Sequence, residues 1–411
     1  MNCTVPIRSN RRNLTLAFRF ASALLMTLGL PEMSFANEPI FSGQAIIHND
    51  AGALINPWSI SKSDDGGFYV TGAMDRDGWA IKTDAKGDIL WRYDLRESAA
   101  GLIRPDGVFI DAAVPAHNRE TYLCASSHTQ VATLVRLDRR GYELSRRALS
   151  PDPQDRGSGR YVSLGANCMQ WGSNFVYIGD EKFNESYGLH QSGNDRFYWV
   201  IVFDQDGHIK KQWQIPVGVR WAARIAAYID RDNLIFYKTD NTNTDLVQID
   251  LSTNVVFKKE ISGSVFAIQP LRTFSLFSFL LRPEVLLLRF RDGIFSLGKN
   301  LQEETKVAAL PKNFTAIRAF HFTDGQYVFF GGHSNATNHW STSGIAVLDA
   351  KLQESRIADF PGSIPLPYSD GGEIADVVGG YKHNQFVVLR KLIPKQTLLS
   401  SGVAIDFIEI K

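Results

Sequence analysis

Cysteine is scarce here: three residues in 411. A framework of several disulfides is excluded, and beyond the N-terminal stretch only Cys124 and Cys168 remain. One bridge between them and two separate buried thiols both fit the sequence. Charge of one sign is lacking too, with 44 basic against 43 acidic side chains. That balance argues against nucleic acid as a partner and against a polybasic grip on membranes. No apolar run reaches the ~20 residues of a spanning helix. No nucleophile elbow, phosphate loop or zinc-protease motif occurs, so the sequence assigns no catalytic residue and no cofactor.

The first residues read as a secretory signal. Arg8, Arg11, Arg12 and Arg19 make a basic start, residues 20–30 are an apolar run, and Ser34-Phe35-Ala36 offers small residues for cleavage after Ala36. No Cys follows the apolar run, which argues against a lipid anchor there. Removing residues 1–36 takes away four Arg and one Glu, leaving 40 basic and 42 acidic side chains. The expected organisation is a signal peptide, 1–36, and a single domain, 37–411. The expected location is periplasmic or secreted, with no integral membrane segment after cleavage.

One pattern recurs along the chain: an alternating apolar strand ending in Asp, a short turn, then a second strand. Residues 80–84 lead through Ala85-Lys86-Gly87 to Asp88-Ile89-Leu90-Trp91. The Asp recurs at 138, 204, 250, 349 and 406, with Gly298 standing in once, a mean step of about 54 residues. Two further apolar stretches precede each copy, so each unit holds four strands. In the turn, Asp accepts hydrogen bonds from the backbone two residues on and Gly supplies positive φ. Four-stranded sheets repeated around an axis are propeller blades. The expected fold is all-β: a seven-bladed β-propeller of four-stranded antiparallel blades. The lone strand at Phe41–Ile47 completes the last blade and closes the ring.

The run Asp65-Gly66-Gly67-Phe68-Tyr69-Val70-Thr71-Gly72, followed by Asp77 to Trp91, resembles the repeat of secreted bacterial β-propeller proteins with quinoprotein-like blades. The resemblance is close in the first unit. It implies a propeller fold and an exported location, not an activity.

Candidate functional residues sit on the loops that exceed what a hairpin needs. In the third unit the loop between the second and third strands runs from Asp180 to Arg196 and carries Tyr187, His190 and Arg196. In the sixth it carries His333, Asn335, Asn338, His339 and Trp340. Aromatic faces with amides suit a protein or glycan partner. Three histidines are too few and too dispersed to make zinc the better reading. Asp75-Arg76-Asp77-Gly78 and Asp204-Gln205-Asp206-Gly207 read as hairpin turns rather than calcium loops. On the first strand of each unit, Arg224 and Arg318 are candidates to line a channel, with Asp111, Glu373 and Asp376 to neutralise them. The favoured function is an exported binding module. The alternatives are a carbohydrate-active enzyme using carboxylates at the channel mouth, or an envelope-complex or immunity protein.

Overall fold

The computed structural model describes residues 39–48, 55–75, 77–96, 108–127, 130–149, 161–183, 196–218, 225–240, 242–263, 265–271, 284–289, 293–297, 301, 304–308, 314–321, 327–334, 341–348, 354–359, 373–381, 384–392 and 402–410. These residues form strands and tight turns. In chain order the strands are β1 (Pro39–His48), β2 (Ile55–Lys62), β3 (Phe68–Met74), β4 (Asp77–Thr83), β5 (Ile89–Leu95), β6 (Val108–Pro115), β7 (Thr121–Ser127), β8 (Gln130–Leu137) and β9 (Glu143–Ala148). There follow β10 (Tyr161–Trp171), β11 (Asn174–Phe183), β12 (Arg196–Phe203), β13 (Ile209–Pro216), β14 (Ala226–Asp230), β15 (Asn233–Thr239), β16 (Asn243–Asp250), β17 (Val256–Ser262), β18 (Val265–Leu271) and β19 (Glu284–Arg289). The last are β20 (Gly293–Leu297), β21 (Glu304–Ala308), β22 (Phe314–His321), β23 (Tyr327–Ser334), β24 (Ser341–Leu348), β25 (Glu354–Asp359), β26 (Glu373–Gly379), β27 (Gln385–Leu392) and β28 (Gly402–Ile410).

Antiparallel pairing gathers these strands into sheets of four: β2–β5, β14–β17, β18–β21, β22–β25, and β26–β28 completed by β1. The expected count of seven blades is corrected here. Among the described residues there are six sheets, because β6–β9 and β10–β13 are joined into one of eight strands. The cause is local. Strand β10 is the longest of these and runs far enough beside β7 for Ser163 to pair with Ser127. Cys124 of β7 and Cys168 of β10 are disulfide-bonded across the same junction, with Cα atoms 6.2 Å apart, and both are buried.

The recurrent Asp–turn unit has a local and a long-range cause. At Asp84, Asp138 and Asp204 one carboxylate oxygen accepts from the backbone N–H groups two and four residues on, at 2.8–3.0 Å. The turns then dock on the neighbouring strands. Tyr122 donates to the carbonyl of Gln205, and Arg147 to that of Gly207. Lys211 donates to the carbonyl of Leu251. Gly141 has φ +85°, and a Cβ there would stand 2.8 Å from the Trp91 ring. Gly141→Ala therefore combines backbone strain with overpacking against a buried ring. The expected cost is ~1–3 kcal/mol, read as a Tm a few degrees lower by calorimetry. An unchanged Tm would show that the turn does not press on Trp91.

The fourth copy of the turn makes a pH prediction. The Ser252 hydroxyl, and then the backbone N–H groups of Thr253 and Ser252, hold the Asp250 carboxyl down at about 2. This lies below the ~3.9 of an unfolded chain. The contribution is therefore complete above about pH 4 and is lost as pH falls through about 2. The Tm gap between the protein and Asp250→Asn should be widest near neutrality and close between those values. A gap that stays constant there refutes the assignment.

Asp406 departs from the repeat. No turn follows it: β28 continues to Ile410, as the expected pairing with the N-terminal strand requires, and Asp406 is fully buried against Arg390 at 2.5 Å. Hydrophobic clusters bridge successive sheets. One joins Phe68, Val70 and Trp79 to Val387, Leu389 and Phe407, with Ala45 and Ile47 packed against it.

Candidate functional site

The two long loops leave the sheets between β11 and β12 and between β23 and β24. Tyr187, His190, Asn335, Asn338, His339 and Trp340 lie outside the described residues, as does Arg224. His333 is in β23, opposite Thr342, and Glu373 opens β26, opposite Lys391. Both loops arise at the same end of their hairpins, opposite the end carrying the Asp–turn units.

The base of the first loop is a buried ion network. Asp180, near the end of β11, is fully buried and accepts from Arg196, the first residue of β12, at 2.5 Å. The same carboxylate oxygen accepts from Lys238 of β15, itself fully buried. Burial lowers the Lys238 pKa, and the charge of Asp180 opposes that shift. Asp111 also acts electrostatically on Lys238. Beside this pair, Tyr198 donates to buried Asp245 at 2.9 Å. The backbone N–H of Gly218 donates to Asp245 at 2.5 Å, and Lys258 approaches it at 3.2 Å. Burial, and then the charge of Asp245, push the Tyr198 pKa up. The guanidinium of Arg196 is thus committed to the loop's root, with its side chain only 11% exposed.

Sequence reasoning selected Arg196 and Asp111 but passed over Lys238, Tyr198 and Asp245, and gave Asp180 no role beyond marking where the loop starts. The signal for Lys238 was a lone cation ending the apolar run Leu234-Ile235-Phe236-Tyr237. Such a side chain in a strand buried on both faces needs an anion opposite it.

A second cluster ties three first strands together. Asp376 of β26 accepts from Arg318 of β22 at 2.7 Å, from the Ser59 hydroxyl of β2 at 3.3 Å and from the Ile60 N–H at 3.1 Å. In each of β2, β22 and β26 a β-bulge precedes this residue, so Ser59, Arg318 and Asp376 share one register position and converge. In β6 the bulge falls on Asp111 itself, the register position of Trp58, Ile317 and Ala375 rather than of the converging residues, and Asp111 is buried. Asp204, Asp206 and His208 lie within metal-ligand reach of one another. Asp204 is already engaged by the turn N–H groups and by Lys210 at 2.9 Å, as the hairpin reading expects.

No protein-family model and no curated protein sequence matches the chain. Solved structures do resemble it. The Dos1 propeller aligns with TM-score 0.50 and 11% identity over 86% of this chain and 78% of that one. Raptor from Chaetomium thermophilum aligns with TM-score 0.53 and 12% identity over 90% of this chain, but this chain spans only 29% of Raptor. A chain of a mitotic checkpoint complex aligns with TM-score 0.51 and 10% identity over 93% and 97%. The fold is a β-propeller. At these identities the likeness carries the fold alone. Among the described residues, no helix is long and apolar enough to cross a membrane.

Proposed function

We propose that this propeller is an exported binding module that holds a protein partner on the face carrying loops 184–195 and 335–340. The observation that carries the reading is the Asp180–Arg196–Lys238 network. It fixes both ends of the longer loop to the rigid sheets, which lowers the ordering cost of presenting that loop to a partner. The Mitotic Checkpoint Complex structure places a propeller of this shape within an assembly. The buried Cys124–Cys168 bridge supports an oxidising compartment, in line with the basic, apolar N-terminal sequence. A glycan is the other chemistry that the loop aromatics and amides fit. Of the carboxylates a carbohydrate-active site would use, Asp376 is committed to structure, since both its oxygens accept from fixed donors.

The test is a pull-down from envelope extract with immobilised protein, wild type and Trp340→Ala. Removing an aromatic anchor typically costs ~2 kcal/mol or more, so capture should fall at least about tenfold at unchanged Tm. Full capture after both loops are cut to plain turns would place the site elsewhere. Two freely alkylatable thiols in the protein as isolated from its cell would remove the support for export.

A further inference from the structure

We propose that Arg318 forms a carboxylate-binding site on the propeller axis, below the loop face. Strands β18, β22, β26, β2 and β6 stand side by side in that order, each the first strand of its unit. Strand β22 pairs with β23 along one edge and, among the described residues, with no strand along the other. That second edge faces the axis. Arg318 lies midway along β22, four residues below Phe314 at the loop end, which is ~13 Å at the rise of a strand.

The side chain is too long for its position. The residue that follows the bulge is Ala112 in β6 and Ala166 in β10, and both alanines are buried. At the same place in β22 the arginine head emerges. Its side chain is 27% exposed, although Ala316 and Ala319 of the same strand are buried. Tyr237 of β15 is near enough to act electrostatically on Arg318, so a second unit borders the same space.

The guanidinium is only half committed. Its Nε and Nη2 both donate to a single oxygen of Asp376, at 2.8 and 2.7 Å. The two hydrogens of Nη1 and the second hydrogen of Nη2 have no acceptor among the described residues. In a planar guanidinium these face away from Nε, and one from each nitrogen makes an end-on fork that fits both oxygens of a carboxylate. Asp376 does not cancel the attraction. Its oxygens also accept from the Val377 and Ile60 N–H groups and from the Ser59 hydroxyl, donors that share its negative charge. Low-dielectric walls around such a site strengthen what remains. A cation already paired once compensates at most one further negative charge, so a carboxylate fits better than a phosphate dianion. The carboxylate belongs either to a free small molecule or to a partner on the loop face that extends it inward. The site itself does not rest on the loop reading.

The test is a titration of the purified protein with sodium acetate, followed by saturation transfer to the acetate methyl protons in NMR. A charge-assisted fork predicts saturable binding with a dissociation constant on the order of 10 mM. Arg318→Lys keeps a cation beside Asp376 but removes the fork. It should weaken acetate at least about fivefold at unchanged Tm. If that variant does not fold, Arg318→Gln with Asp376→Asn removes both charges together and gives the same reading. Three results overturn the proposal: no saturable acetate binding, equal binding by the variant, or inorganic phosphate binding more tightly than acetate. Two further arms identify the source. Partner capture that falls in Arg318→Lys, and in the unaltered protein with excess acetate, assigns the carboxylate to the partner; capture unchanged by both assigns it to a free small molecule. Acetate binding that persists in the Trp340→Ala protein, as capture is lost, separates this site from the loop reading.

Discussion

A chain lacking residues 39–48 will unfold far below the intact protein. Strand β1 pairs with β28 from Pro39↔Ile410 to His48↔Gly402, so both ends of the chain sit in one sheet. Its removal leaves a long apolar strand as an open edge. It also strips contacts from the interior. Gln44 donates to buried Asp406 at 2.6 Å, Ser42 donates to the Phe407 carbonyl at 2.9 Å, and Ala45 and Ile47 pack on the cluster around Phe407. Each lost hydrogen bond counts for ~0.5–1.5 kcal/mol, and the sum exceeds ~5 kcal/mol, the lower bound of a domain's whole stability. The Tm should drop by ~10 °C or more, or the protein should fail to stay soluble. A synthetic peptide of residues 37–50, added in trans, should recover part of the loss by re-adding the strand. An unchanged melting curve would show that the closing strand contributes nothing.

Replacing Asp180 with Ala should cost about 3–5 kcal/mol, because it strands Lys238 as a buried charge and releases Arg196. For a domain of this size that is a Tm shift on the order of 5 °C. Lys238→Met should cost less, since Asp180 keeps Arg196 as its partner. Combining Asp180→Leu with Lys238→Met should recover most of the loss, because an apolar pair of similar volume replaces a pair with a large desolvation cost. If the double variant is no more stable than Asp180→Ala, the penalty comes from the released Arg196 and not from the unpaired Lys238 ammonium. The same substitution tests the function: with Arg196 released, partner capture should weaken before the protein melts.

Local periodicity made the strands legible. The spacing of Asp84, Asp138, Asp204 and Asp250 marked hairpins in which the Asp carboxylate bonds only to the few residues that follow it, so the residues that shape them are adjacent in sequence. Asp406 is the copy with no turn after it. It has the same flanking pattern, yet β28 runs four residues further because β1 arrives from the other end of the chain to pair with it. The count of sheets failed for a similar reason. Whether β7 and β10 stay apart depends on the Ser163↔Ser127 pairing and the Cys124–Cys168 bridge, contacts between residues far apart in sequence.

The sequence alone determined the all-β class, the four-strand repeat, the turn chemistry and the loops long enough to bind something, since each depends on neighbours within a few residues. Only the tertiary structure decided that Arg196 anchors a loop rather than reaching outward, that Asp376 joins three strands, and that Lys238 and Asp180 meet. These pairings bring together residues 16 to 317 positions apart. A buried charge finds its partner through packing of whole sheets, which no local pattern encodes.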